Sequence, residues 1–492
     1  MDAGWLIDGF ISALSPSNLF IALIGCLLGT LVGVLPGLGP ASAIALLIPF
    51  TAYLSPAGAV IGLGSIFYGA MYGGSTTSVL LNIPGEVASV PAALEGYQLC
   101  KKGRGGPVLC ICALVSFMGA IIALLGLSFF APKLAQIAIT FGPFEYLALM
   151  ILSLSCAVGL ASDSVVRGVG AAFAGLVIAV VGYDPSENIF RMTFGSSSLL
   201  SGFDSIPIVV GLFGVAEVLC GIEKETKMIT EKIGSLIPSK KEMKLGMPAG
   251  LRGSFIGALL GLLPGMTASV ASFLGYAVEK RVAKEKHLYG KGMLEGVASS
   301  EAANNACAVS GFVPLMALGI PTGPIMAMVL AALLMQGVVP GPLMFSTNQA
   351  LAGTIIGSFF IGNIILVILN LPLVGMWVRI ATIPYRIMAP VILFLCAVGS
   401  YSIRNSMFDL WVMLLFGVIG YIAKKVNFGV APMILGLILG TQLEFYFKQA
   451  SVLGFGALSN RPLAICVFIV AGIVLAAFTV LKGRNAAFGE DD

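Results

Sequence analysis

Apolar residues fill this chain in long blocks, and polar residues gather in short gaps between them. A bilayer-spanning helix needs about 20 apolar residues, and by that measure the blocks predict a bundle of membrane helices. Residues 18–35 and 37–52 form a pair hinged at Leu35-Pro36-Gly37, and 57–84 hold a crossing and a break rich in Gly, Ser and Thr. Crossings follow at 107–130, 144–160, 166–183 and 206–221, and a charged stretch over 222–248 closes this plan. The plan then recurs as 250–263 with 265–279, 296–335 with its own break, 351–370, 384–399, 408–423 and 430–447. A last block, 463–481, has no earlier counterpart.

The recurrence is visible in the residues. Gly29-Thr-Leu-Val-Gly-Val-Leu-Pro-Gly-Leu-Gly-Pro-Ala-Ser-Ala43 returns 228 residues later as Gly257-Ala-Leu-Leu-Gly-Leu-Leu-Pro-Gly-Met-Thr-Ala-Ser-Val-Ala271. Cys156-Ala-Val-Gly159 returns as Cys396-Ala-Val-Gly399, and Pro207-Ile-Val-Val-Gly-Leu as Pro432-Met-Ile-Leu-Gly-Leu. Asn82-Ile-Pro-Gly85 has a relative in Gly319-Ile-Pro-Thr-Gly323. Four regions result: a first repeat over 1–221, a cytoplasmic linker over 222–248, a second repeat over 249–447, and an extra C-terminal helix and tail over 448–492.

Lysine and arginine place the loops. The loop at 53–57 has none, while its partner at 280–291 has five. The loop at 101–104 has three and its partner at 336–349 none; the loop at 184–204 has one and its partner at 424–427 two. Corresponding loops therefore carry opposite bias, and the positive-inside rule puts them on opposite faces. That is the pattern of inverted-topology repeats. Alternating sides puts 21 of the 27 basic residues inside, leaves Lys133, Arg191, Arg404, Lys448 and Arg461 outside, and sets Arg252 at a cytoplasmic helix end, where it can snorkel. The N-terminus is external and the C-terminus internal.

Composition agrees. The chain is 58% apolar and 10% charged, against about 25% charged in a soluble domain. The expected fold is an all-α polytopic membrane protein of two inverted repeats. It has broken or re-entrant helices at Leu-Pro-Gly, 11–13 membrane segments, and one extra C-terminal helix. The first residues carry no basic run of a cleaved signal. The net charge of +4 says nothing of nucleic acid in so apolar a chain. Nine scattered cysteines and a single histidine offer no metal-ligand spacing and no cofactor.

The chemistry gathers at the breaks. Hydrocarbon does not tolerate unpaired backbone groups, so a broken membrane helix survives only inside protein or beside a wet cavity. Pro36, Gly37, Leu38 and Gly39 precede Pro40, which suits the first position of a new helix. In the second copy Pro264, Gly265 and Met266 precede Thr267, which can cap the half-helix that follows. Two half-helix N-termini meeting at the midplane from opposite sides would make an anion site. A second pair of breaks carries Ser75, Thr76, Thr77 and Asn82 in the first half. The second half carries Glu301, Asn304 and Asn305 with Pro321, Thr322 and Gly323. The hydroxyls can cap a half-helix or donate to a carboxylate. Asn304, Asn305 and Glu301 are the candidate ligands of Na⁺, with Glu301 also a candidate proton carrier. Glu86 belongs either to this group or to the surface. The competing reading of each polar residue is interhelical hydrogen bonding.

Together the paired Leu-Pro-Gly segments, Tyr72-Gly-Gly-Ser-Thr-Thr77 with Asn82-Ile-Pro-Gly-Glu86, and Glu301-Ala-Ala-Asn-Asn305 with Gly319-Ile-Pro-Thr-Gly323 resemble the large membrane subunit of the tripartite tricarboxylate transporters. The resemblance covers essentially the full length. It implies a bacterial inner-membrane secondary importer of di- or tricarboxylates, driven by Na⁺ or H⁺. It also implies two partners: a small four-helix membrane subunit and a periplasmic substrate-binding protein. Substrate and ion contacts would then come from Pro36 to Gly39, Ser75 to Thr77, Pro264 to Thr267, and Asn304 to Asn305. The second copy departs from the first by placing Thr267 where the first has Gly39, so one site could serve substrate and the other the ion.

Rival readings predict other residues. A cation/proton antiporter favours a midplane Asp pair, and a channel favours filter-like loops. An intramembrane enzyme needs a convergent set of acids, nucleophile or metal ligands. None of these is evident in the sequence. A broken-helix carrier with alternating, elevator-like access fits the repeats better.

Overall fold

The computed structural model describes residues 4–35, 39–161, 164–184, 186–223, 234–381, 383, 385–426 and 428–488. Pro36, Gly37 and Leu38 lie outside the described residues. The first half contains α1 (Gly4–Ala13), α2 (Pro16–Gly33), α3 (Pro40–Leu47), α4 (Pro56–Leu81), α5 (Val90–Leu99), α6 (Gly105–Ala138), α7 (Pro143–Ala161) and α8 (Val165–Ala179). A short hairpin of β1 (Gly182–Asp184) and β2 (Ile189–Arg191) follows, then α9 (Ser205–Val209), which runs through a π-helical stretch into α10 (Ala216–Ile222). The second half contains α11 (Lys240–Leu260), α12 (Ala268–Val282), α13 (Leu294–Ser310), α14 (Phe312–Leu318), α15 (Pro324–Met335) and α16 (Met344–Thr347). It continues with α17 (Gln349–Asn370), α18 (Val374–Ala381), α19 (Tyr385–Arg404), α20 (Met407–Lys425), α21 (Val430–Leu453) and α22 (Pro462–Phe488).

Among the described residues, eight helical segments are long and apolar enough to cross a membrane, and four shorter apolar helices accompany them. This is an all-α polytopic membrane protein. α4 and α13 fall outside both groups, yet nearly every residue of each is buried. A helix buried on all sides need not be apolar toward lipid, so these two can carry the Ser, Thr, Asn and Glu side chains of the interior.

Glycine explains how α2 reaches α4. A Cβ on Gly29 would lie 2.3 Å from the Ile66 carbonyl oxygen, and one on Gly33 2.1 Å from that of Ala70. α11 meets α13 in the same way: a Cβ on Gly257 would lie 2.1 Å from the Ala303 oxygen, and one on Gly261 2.5 Å from that of Cys307. Such close backbone approach through small residues is a principal packing mode of membrane helices. Residue numbers rise together in both pairs, so each pair runs parallel.

The two pairs oppose each other. Ser75 of α4 meets Glu301 of α13, whereas Tyr68, earlier on α4, meets Phe312, later in the second half. α4 and α13 therefore pass in opposite directions, the arrangement inverted repeats would give. Packing between halves is also reciprocal: α8 lies on α21 while α20 lies on α9 and α10, and α6 lies on α13 while α17 lies on α4.

One expectation is corrected. The Gly/Ser/Thr run does not break a helix, because α4 is continuous to Leu81. Gly69 and Gly73 serve packing instead, since a Cβ on each would lie 2.7 Å from the Cys26 oxygen and 2.5 Å from that of Thr30. The chain turns at Asn82 (φ 55°), as it does at Gly319 (φ 71°) in the second half. Within the charged stretch α11 starts at Lys240, capped reciprocally by Ser239 and Glu242. The extra helix α22 leans on α7, with Phe478 against Gly159, and leaves most of its surface exposed.

Candidate functional site

In the second half the Leu-Pro-Gly interruption meets the Ile-Pro interruption of the same half. In the second half the Gly265 N–H donates to the Thr322 carbonyl at 2.9 Å, and Gly265 adopts φ 82° to allow it. Ser153 Oγ of α7 donates to the Pro321 carbonyl at 3.1 Å. Between these segments lies a hollow of about 50 Å³, lined by Ala157, Gly265, Thr267, Thr322 and Gly323.

Two helices begin at that hollow. Thr267 is the N-cap of α12 and Gly323 that of α15. Thr267 occupies the expected cap position, but its side chain makes no capping hydrogen bond. The first-turn N–H groups of a helix have no partner within it, and the helix dipole makes that end positive. The hollow thus collects two such ends, with Thr267 and Thr322 hydroxyls beside them. Pro264 and Met266 complete the turn, and the Met266 carbonyl accepts from Cys307 Sγ.

A second constellation lies where α4 crosses α13. Ser75 Oγ donates to Glu301 Oε2 at 2.6 Å. Asn304 Nδ2 donates to Glu86 Oε1 at 3.3 Å. Asn305 Nδ2 donates to Ser116 Oγ at 2.9 Å and to the Glu301 carbonyl at 3.0 Å. Glu301 Oε1 and Asn304 Oδ1 are buried with no partner. The structure thus brings Ser75, Glu301 and Asn304 together and adds Glu86 and Ser116. Thr77 stands apart: its hydroxyl bonds back to the Gly74 carbonyl at 3.1 Å. Thr76 lines a small neighbouring cavity with Tyr72 and Ser116. Asn82 acts as the left-handed cap of α4. Gly39, the N-cap of α3, lies near Gly85 and Glu86.

α12 connects the two constellations. Its start faces the hollow, and one turn on, Ser272 Oγ donates to the Ala88 carbonyl at 2.5 Å, two residues past Glu86. A cavity of about 720 Å³ lies beyond the second interruption and reaches Leu318 and Gly319. At its wall Arg191 forks onto Glu444 at 2.6 and 3.0 Å, and Lys448 binds Asp184 at 2.6 Å. Lys448 beside it holds the Asp184 carboxyl below the usual carboxylate range. Sequence reasoning missed this cavity, because its charges come from loops and helix ends far apart in the chain.

Residues 19–435 match the tripartite tricarboxylate transporter TctA family. The chain belongs to that family. A relative from Agrobacterium vitis, an uncharacterised 52.8 kDa protein of the TAR-I ttuC' 3' region, is 41% identical over 492 residues, covering 98% of each chain. A second Agrobacterium vitis protein, from the TAR-II ttuC' 3' region, is 41% identical over 236 residues, which is 47% of this chain and 98% of that protein. No solved structure matches. As a TctA-family protein this chain is of the kind that forms the large subunit of tripartite tricarboxylate transporters. Its candidate residues are the interruptions and the α4–α13 crossing of a transporter component.

Proposed function

We propose that this subunit imports di- or tricarboxylates across the bacterial inner membrane, driven by a Na⁺ or H⁺ gradient, with its N-terminus periplasmic and its C-terminus cytoplasmic. A periplasmic binding protein delivers the substrate, and a small four-helix membrane subunit completes the complex. The observation that carries this reading is the convergence of the α12 and α15 N-termini on one hollow beside Thr267 and Thr322. Helix N-termini offer N–H donors and a positive potential to a carboxylate without placing a full charge in the membrane. The 720 Å³ cavity is the substrate's path to the hollow.

A multivalent anion entering a negative cell works against the potential, at about 2.3 kcal/mol per charge per 100 mV. More positive charges must therefore enter than the substrate carries, and the carboxylates at the α4–α13 crossing are where they bind. The interrupted segments move as one body against the unbroken helices. Reconstitution with the binding protein and the small subunit tests this: labelled citrate should accumulate in liposomes under an imposed Na⁺ or H⁺ gradient and not without one. Equal uptake with and without either gradient would overturn it.

A further inference from the structure

We infer that α12 transmits events at the α4–α13 crossing to the hollow at its own N-terminus, and that Glu95 is the positioning residue that fixes α12 to the first half. Glu95, on α5, is a wholly buried carboxylate. Burying a carboxylate is costly unless donors surround it, and four donors from the second half surround this one. The Tyr276 hydroxyl of α12 donates to Oε1 at 2.7 Å, and the Gly290 N–H donates to the same oxygen. The Gly292 and Met293 N–H groups donate to Oε2 at 2.7 and 2.8 Å. Gly290 and Gly292 stand at φ 90° and 104°, a backbone that glycine adopts without steric cost. The turn between α12 and α13 is thus wrapped around the acid. Met293 is the N-cap of α13, where the helix dipole favours a negative charge.

α12 is gripped from both halves. Ser272 and Tyr276 lie one turn apart and so share a face. Ser272 bonds the Ala88 carbonyl while Tyr276 bonds Glu95, and both partners follow Glu86 in the chain. α12 also travels with α13, because Ser299 Oγ, two residues before Glu301, donates to the Gly275 carbonyl at 2.9 Å. The start of the same helix borders the hollow at Thr267. A helix of 15 residues is a stiff rod of roughly 22 Å. When positive charge draws Glu86 toward Glu301, the Ser272 and Tyr276 grips carry that closure along the rod to Thr267.

The inference rests on the ion-coupled reading above and is tested apart from it. Equilibrium binding of ¹⁴C-citrate is measured on the purified full chain in nanodiscs, with thermal unfolding as the control for folding. The media are NaCl, choline chloride, and choline chloride at a lower pH, with both pH values above the range where citrate itself takes up protons. In the wild type Na⁺ or the lower pH should tighten citrate binding about tenfold, an ordinary coupling between two sites. Ser272→Ala combined with Tyr276→Phe should bind citrate in choline chloride as the wild type does, but keep an enhancement of only about twofold or less. Glu95→Gln, which leaves one acceptor oxygen of two, should lose part of the enhancement. Tyr289→Phe is the control and should keep all of it. Tyr289 meets Tyr276 edge-on with ring centroids 5.4 Å apart, and its buried hydroxyl has no partner. If the double variant does not fold, Tyr276→Phe alone should lose at least about threefold of the enhancement, the scale of one hydrogen bond. Full enhancement in the folded double variant, in Tyr276→Phe standing in for it or in Glu95→Gln would overturn the inference and leave the importer reading standing, as would an equal loss in Tyr289→Phe. Wild-type citrate binding that is absent, or that ignores both Na⁺ and pH, would instead overturn the ion-coupled reading, and with it the signal assigned to α12.

Discussion

Ser75 donates its hydroxyl to Glu301 at 2.6 Å, and this contact joins equivalent helices of the two inverted halves. It gives a helix-interior serine a role that its neighbours lack. Thr77 and Ser78 spend their hydroxyls on the Gly74 carbonyl of their own helix. Ser75→Ala should therefore leave both Glu301 oxygens unpartnered, at a cost of about 1–3 kcal/mol. Uptake in that variant should require a markedly higher cation concentration, while Thr77→Ala should transport nearly as the wild type. Cation titrations of uptake in both variants check this; equal behaviour would remove Ser75 from the site.

Gly323→Ala tests the other interruption. The added methyl would sit 3.2 Å from Thr267 Cγ2 and narrow the hollow. The expected result is a raised KM for the carboxylate with unchanged ²²Na⁺ binding. A change in Na⁺ binding with the carboxylate KM unaltered would reverse the assignment of the two interruptions.

Gly33→Ala tests the packing. Its Cβ would fall 2.1 Å from the Ala70 oxygen, so α2 and α4 must separate. Overpacking of this kind costs about 1–3 kcal/mol, which thermal unfolding in detergent should register. Gly170→Ala is the control, because a Cβ there meets nothing within 4 Å. In a helix that change is neutral or stabilising, by up to about 1 kcal/mol.

Ser153 of α7 holds the carbonyl of Pro321. If the interrupted segments move against α7, oxidative crosslinking of Ser153→Cys with Pro321→Cys should stop uptake and reduction should restore it. Binding of ²²Na⁺ should persist in the crosslinked protein. Full uptake by the crosslinked protein would show that this contact does not open during transport.

Much of this was legible in the sequence because the signals are local. Leu-Pro-Gly and Ile-Pro breaks force a chain turn, and Pro40 and Thr267 mark helix starts that the structure has. The glycine run at 73–74 was misread, because glycine serves a break and a close crossing equally, and only the presence of α2 decides. Ser116 and the Asp184–Lys448 and Arg191–Glu444 pairs were not legible, since tertiary folding alone joins them. Four of the five basic residues expected outside pair with carboxylates. Arg191 binds Glu444, Lys448 binds Asp184, and Arg404 binds Asp409, while Arg461 approaches Glu145 at 3.8 Å. Paired cations bias topology less than free ones in the basic loop at 280–291.

The account depends most on the halves facing opposite ways across the bilayer. Single cysteines at Tyr53→Cys and His287→Cys, in a background without the native cysteines, test this with a membrane-impermeant maleimide on intact cells. Tyr53→Cys should label at once from outside, and His287→Cys only after the membrane is opened. Labelling of both from the same side would contradict inversion, and with it the pairing of an anion hollow in the second half with a carboxylate site where the halves cross.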